Sequence, residues 1–110
     1  MKSFNAALDD LLRRRKTEIG LTHEQVGEAA HINHSYVSRL RHGEKPTPPH
    51  TTIEQLASAL GVEPEYFKAY RDMKRVAISL AAPGREPTAV QWAAARMAVL
   101  ATQDQDAPGE

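Results

Sequence analysis

The stretch Thr22-His-Glu-Gln-Val-Gly-Glu-Ala-Ala-His-Ile-Asn-His-Ser-Tyr-Val-Ser-Arg-Leu-Arg-His-Gly43 decides how this chain is read. Thr22 followed by Gln25 is a capping box, in which the hydroxyl accepts an early amide hydrogen and the Gln reaches back to the cap. Leu21 and Val26 stand at hydrophobic-staple positions, and Val26, Ala29 and Ala30 supply one apolar side. The same grammar then repeats. Asn33 is an N-cap, Ile32 and Val37 are spaced as a second staple, and Gly43 suits a left-handed stop. Val37 and Leu40 bury, so His34, Ser35, Ser38, Arg39 and Arg41 fan across the remaining surface. The spacing predicts two short helices set at an angle by a tight turn, a helix-turn-helix whose second helix carries a polar, basic outer row.

A helix of that kind is shaped to enter a DNA major groove, where outer side chains reach base edges. The run Leu21-Thr22-x-x-x-Val26-x-x-x-x-x-Ile32-x-x-Ser35-x-Val37-Ser38-x-Leu40-x-x-Gly43, followed by Leu56-Ala57-x-Ala59-Leu60-Gly61-Val62, resembles the XRE/Cro/CI-type (lambda-repressor-like) DNA-binding domains. The resemblance spans roughly residues 5–70. It implies that His34, Ser35 and, one turn later, Arg39 face base edges. It puts His23 where the family has a phosphate-contacting Gln, and lays His42 and Lys45 along the DNA backbone. Tyr36, Ser38 and Arg41 join that backbone set. The Tyr36-x-Ser38-x-Leu40-Arg41-x-Gly43 run, with the Pro-rich loop after it, is also similar to actinobacterial EspR-like regulators. That narrower likeness implies dimerisation through helices after the DNA-binding domain.

Three positions depart from the family pattern. His31 replaces a turn Gly, so it adopts a less comfortable backbone conformation or reshapes the turn. Gly27 replaces an Ala, which leaves room for close packing at some cost in helix propensity. Arg41 stands where many members carry a Glu that pairs with a basic residue late in helix 1, here Lys16. Two like charges cannot form that pair, which leaves either side chain to turn toward phosphate.

At 110 residues the chain supports one compact domain with an appendage, and its 41% apolar content suffices for a small helical core. The absence of cysteine excludes disulfides and thiolate metal sites. No window approaches the roughly 18 apolar residues that span a bilayer, so no membrane role is expected. A cytoplasmic, bacterial, nucleoid-associated location is the simplest expectation. The formal net charge is zero, awkward for a DNA binder because phosphate attraction supplies most non-specific affinity. Distribution softens the difficulty: residues 1–50 hold 8 basic and 6 acidic groups, residues 51–110 hold 6 and 8. Between Ala30 and Pro49 the one acid, Glu44, faces Arg39, Arg41, Lys45 and three histidines. Unperturbed imidazole titrates near pH ~6.5, so histidines on the DNA side are expected to tighten binding on mild acidification.

Outside residues 22–43, Ser3 caps a first helix whose Phe4, Ala7, Leu8, Leu11 and Leu12 recur at helical spacing. Arg13-Arg14-Arg15-Lys16 closes it as a solvated last turn, or sends one or two groups to phosphate. Gly20 ends it. Glu44 to His50, with three prolines, forms an exposed loop. Thr52 with Gln55 is a further candidate capping box for a fourth helix, which starts between Pro48 and Thr52 and ends at Gly61. Pro64 opens a fifth helix that runs to about Ala82. After Pro83-Gly84, Thr88 and Gln91 start a last helix, almost wholly apolar from Ala89 to Ala101. A helix apolar on most sides is buried on most sides. Either it packs back on its own domain, or Val90, Trp92, Met97 and Leu100 pair with a second copy in a homodimer.

The expected architecture is therefore all-α: a five-helix, lambda-repressor-like DNA-binding domain over residues 1–70, a helical dimerisation extension over 71–101, and a disordered tail over 102–110. The expected partner is double-stranded DNA; RNA polymerase or another protein partner is left open. Five histidines invite a metal, but a turn separates His31 from His34 and closed zinc sites need four donors, so none is expected. No nucleophile-and-base arrangement and no Gly-rich phosphate loop appears, so neither enzyme activity nor a cofactor is expected. A homodimeric transcriptional repressor is the leading reading. An antitoxin, a restriction-modification controller or a protein-interaction module are the rivals.

Overall fold

The computed structural model describes residues 3–105. Six α-helices and one short 3-10 turn follow in order: α1 (Phe4–Ile19), α2 (His23–Ala30), α3 (His34–Arg41), α4 (His50–Leu60), the turn Pro64–Tyr66, α5 (Lys68–Leu80) and α6 (Ala89–Gln105). No strand occurs among the described residues. No described helix is long and apolar enough to cross a membrane.

Local chemistry sets most of these boundaries. The Ser3 side chain accepts from the Ala6 amide at the start of α1, and Gly20 ends that helix in the left-handed conformation. Both halves of the Thr22–Gln25 capping box form: the Gln25 amide donates to Thr22 Oγ1 at 3.2 Å, and the Thr22 amide to Gln25 Oε1 at 2.9 Å. Asn33 Oδ1 accepts from the Ser35 amide at 2.7 Å. Thr88 and Gln91 make the same reciprocal pair before α6. Each such cap is worth about 1 kcal/mol.

The fourth helix starts within the expected range, but its cap and the start of the fifth helix differ from expectation. The first residue of α4 is His50, behind Pro49, and no side chain caps it. Thr52 therefore lies inside the first turn, because the chain enters the helix at Pro49 with its φ already fixed. Pro64 opens only the 3-10 turn, since Phe67 is extended (φ −90°, ψ 125°) and resets the chain before α5. Phe67 is fully buried, with its ring tilted against that of Phe4 at 4.9 Å, so core packing holds that break in place.

The core gathers Phe4, Leu8, Leu11 and Leu12 of α1 with Val26, Val37, Leu40, Ile53, Leu56 and Leu60. Met73 and Ala77 extend it along α5, and Ala95 and Val99 of α6 complete it. Helix α6 thus packs back on its own chain, chiefly against α5. Trp92, expected at a dimer interface, stacks on His50 at 4.0 Å with nearly parallel rings and lies 5.6 Å from Tyr70. The Tyr70 hydroxyl in turn donates to Glu54 at 2.7 Å. Leu100 is half-buried, while Val90 and Met97 point away from the fold. The helix also continues to Gln105, past the expected end at Ala101; residues 106–110 of the expected disordered tail lie outside the described residues.

The loop before α4 is not uniformly exposed. Thr47 and Pro48 are buried, and Arg96 of α6 donates from Nε to the Thr47 carbonyl at 2.9 Å. Helix α6 therefore braces the segment that follows α3.

Candidate nucleic-acid interface

Helix α3 is short, and its orientation is fixed by contacts at both ends. Val37 and Leu40 are fully buried and anchor one side. At the N-terminal end the close approach of α2 depends on Gly27. A Cβ there would lie 2.6 Å from the Ile32 carbonyl oxygen and 3.1 Å from the His34 amide nitrogen. Gly27 is buried where Ala29 is exposed, so the apolar side of α2 is Val26, Gly27 and Ala30. The turn itself takes the first of the two options open to His31. That residue is left-handed (φ 59°, ψ 41°), the one non-glycine with positive φ among the described residues, at a cost of about 1 kcal/mol.

At the C-terminal end, Asn5 of α1 donates from Nδ2 to the Leu40 carbonyl at 2.6 Å and to the Lys45 carbonyl at 3.2 Å. Gly43 is left-handed (φ 77°), and the Glu44 amide reaches back to the Arg39 carbonyl at 2.9 Å. That is the Schellman closure for which Gly43 is suited.

Arg41 requires a correction. Expected at the DNA backbone for want of an acidic mate, it finds one in Asp9, with Nη2 2.6 Å and Nε 2.7 Å from Oδ1. Its side chain is only 14% exposed. Arg41 Nη1 also donates to His23 Nε2. Arginine has no acceptor, so His23 presents a lone pair there and carries its proton on Nδ1. Asp9 in addition accepts from Arg13 Nε at 3.0 Å. Burial pulls the Asp9 carboxyl upward, but Arg41 and Arg13 outweigh it and hold it below the ordinary range. For His23, burial and then the neighbouring Arg41, Lys16, His42 and His34 push the imidazole below its ordinary value. The lone pair it offers Arg41 marks His23 as a neutral ring.

Around this network lies a cleft of ≈ 610 Å³ bounded by the end of α1 and the starts of α2 and α3, with Lys16, Thr22, His23, Glu24, His34 and Arg41 among its walls. The basic run on α1 divides unevenly. Arg13 pairs with Asp9, Arg14 with the Tyr66 hydroxyl, and Arg15 with the Leu60 carbonyl and Glu18. Lys16 is exposed at the cleft.

The outer face of α3 meets nothing inside the chain. His34, Ser35 and Arg39 are exposed, and among the described residues no ion pair or hydrogen bond engages the side chain of any of them. His42 and Lys45 are exposed just beyond, and Ser38 is half-exposed between. Tyr36 is half-buried, and burial raises its phenol pKa against the opposing pull of Arg96. Of the nine residues expected at DNA, the fold thus leaves seven with solvent-facing groups uncommitted and binds two, His23 and Arg41, to each other. Among the described residues no three of His, Asp and Glu gather as a metal would require.

Sequence reasoning missed Asn5 and the pairing of Arg41 with Asp9. Gly27 did leave a signal, in the missing Cβ at a position that ordinarily holds Ala.

Residues 7–67 match the family described as the helix-turn-helix domain, more than half of the chain, and the chain belongs to that family. The match reaches from α1 to the buried Phe67 and includes Gly27, Val37 and Leu40, though not Asn5. Membership makes DNA the implied partner of the chain and a regulatory role its implied use. Neither a curated protein nor a solved structure matches the chain. Helices α5 and α6 lie beyond the matched residues.

Proposed function

We propose that this chain is a sequence-specific regulator of transcription, a homodimeric repressor of the XRE/Cro/CI type that reads duplex DNA with the outer face of α3. One observation carries the reading: His34, Ser35 and Arg39 form an exposed, unpaired row on a helix whose every other side is anchored. A rigid helix with free donors is what direct readout of base edges demands. Arg39 is the principal reader, since its guanidinium can bridge O6 and N7 of guanine with two hydrogen bonds. His34 donates to a purine N7 or a phosphate oxygen, and Ser35 donates or accepts beside it.

The backbone set is Ser38, Tyr36, His42 and Lys45, with Lys16 added at the cleft. His23 contributes as a neutral donor through Nδ1, and Arg41 supports it from behind. Two such helices related by a dyad reach successive major grooves about 34 Å apart. Occlusion of a promoter then represses without a cofactor or a chemical step, and the protein works in the cytoplasm. The EspR-like resemblance supports a dimer built from the C-terminal helices.

Selection of bound sequences from a random duplex library tests the reading. The expected product is a palindrome with half-sites one helical turn apart. Recovery of no sequence above the random background would remove the proposal of specific readout.

A further inference from the structure

Helix α6 has two unlike faces. Ala95 and Val99 are buried, and Trp92 and Arg96 reach His50 and Thr47 from the same side. The opposite side exposes Val90 (78%) and Met97 (62%) together with Ala93, Ala94, Ala98 and Ala101. Between Ala89 and Ala101 no charged residue stands on that outer face. Val90, Ala94, Met97 and Ala101 follow one another by four, three and four residues, the spacing of a coiled-coil seam.

The order of sizes along the seam is large, small, large, small. Laid antiparallel on itself about a dyad between Ala95 and Arg96, the seam sets Val90 against Ala101 and Ala94 against Met97. Each bulky side chain then meets a methyl group, and Ala93 faces Ala98 beside them. A parallel pairing does the reverse: Val90 meets Val90, Met97 meets Met97, and the alanine layers stay hollow, against the close packing that interfaces reach. A two-fold contact uses one patch on both subunits, so a patch that complements itself selects a second copy over an unrelated helix.

We propose that the outer face of α6 binds the same face of a second copy of this chain, antiparallel, in the register Val90–Ala101 and Ala94–Met97. The inference rests on the dimeric reading above and deepens it. It assigns Val90 and Met97 to the interface and leaves Trp92 inside the subunit. One helix pair falls short of the roughly 1,200 Å² that stable interfaces bury, so the dimer is weak and concentration-dependent.

The chain has no cysteine, so introduced thiols report the register directly. Full-length Val90→Cys and affinity-tagged Ala101→Cys are mixed without DNA at about 100 µM under mild oxidation. The mixture is expected to form a tagged–untagged disulfide, whereas Val90→Cys alone forms none. In this register the two Val90 positions lie about 16 Å apart along the helix, too far to bridge. Cross-linking of Val90→Cys to itself as efficiently as in the mixture, or no cross-link in either sample, overturns the proposal. Met97→Glu supplies the second measurement. It is expected to abolish the rise in mass with concentration by sedimentation while helicity stays unchanged; a dimer that survives it overturns the assignment. A chain that dimerises in this register yet shifts no DNA leaves this inference standing and removes the regulator reading. A monomer that shifts DNA does the opposite.

Discussion

Helix α3 buries Val37 and Leu40 and turns His34, Ser35 and Arg39 to solvent, whereas α6 buries Ala95 and Val99 and turns Val90, Ala94 and Met97 outward. Each helix thus has one anchored side and one open side, but the open sides carry different obligations. A polar row in water costs nothing, so exposure of Arg39 alone does not demand a partner. The case for DNA comes from the helix-turn-helix family match over residues 7–67, in a chain where α2, Gly27 and Asn5 hold that row in place. An apolar row in water forgoes about 25 cal/mol for each Å² left uncovered, so α6 asks for a partner on its own account. Readout and assembly are therefore argued from different physics, and different experiments test them.

Removing the anchors is expected to have the largest effect. Leu40→Ala should destabilise the chain by about 2–5 kcal/mol, because Leu40 of α3 is fully buried in the core. Val99→Ala, which removes two methyl groups from a helix held mainly by α5, should cost about 1.6 kcal/mol. Urea denaturation of both variants compares them; equal losses would mean that α6 is as central to the core as α3.

Gly27→Ala comes next. The added methyl meets backbone atoms that cannot rotate aside, so about 1–3 kcal/mol should be lost, offset in part by about 1 kcal/mol of helix propensity. A stability gain in thermal melts would show that α2 and α3 can move apart. Arg39→Ala is expected to leave stability unchanged and to lose about 1–3 kcal/mol at a selected DNA site, with relaxed base preference there. Equal loss on random DNA in mobility-shift titrations would reduce Arg39 to a phosphate contact.

Asp9→Ala removes the carboxylate between Arg41 and Arg13 and should cost about 1 kcal/mol, since the pair is partly exposed. Chemical denaturation at neutral pH and at low and high salt measures it, and an unchanged midpoint would reduce the contact to a crystal-like ornament of no energetic weight. The smallest effect is on acidification. The pKa of His23 is lowered, and so is that of His50, where burial outweighs the opposing pull of Glu54. The unfolded chain therefore takes up protons first. Stability from these rings is full above their unfolded value near 6.5 and is lost as the pH falls toward their folded values. His23 accordingly gains its proton at lower pH than an ordinary imidazole and should add less to DNA binding on mild acidification than its sequence position suggests. Melting temperatures between pH 5 and 8 give the sign; a rise toward acid would contradict it.

What the sequence disclosed was local. Ser3, Thr22, Asn33 and Thr88 cap their helices because a cap and its amide lie within three residues of each other, a distance at which spacing is geometry. Gly20 and Gly61 end α1 and α4 for the same reason. Pro64 and Thr52 misled because tertiary packing of Phe67 and the chain entry at Pro49 outrank propensity there. The links from Asp9 to Arg41, Arg15 to Leu60 and Arg96 to Thr47 join positions far apart in sequence, and no periodicity foretells them. In α6 nearly every position is apolar, so spacing alone does not say which side turns inward. The candidate reading row was legible because polar residues stood out between Val37 and Leu40; its supporting network was not.

The bridge from Arg96 to the Thr47 carbonyl, with Trp92 laid flat on His50, bears on any attempt to transplant the matched half of this molecule. A graft that stopped at Phe67 would keep every residue of the family unit yet strip the cover from the loop leaving its groove-facing helix. Borrowed readers of this type would need residues 89–100 carried along as part of the cassette.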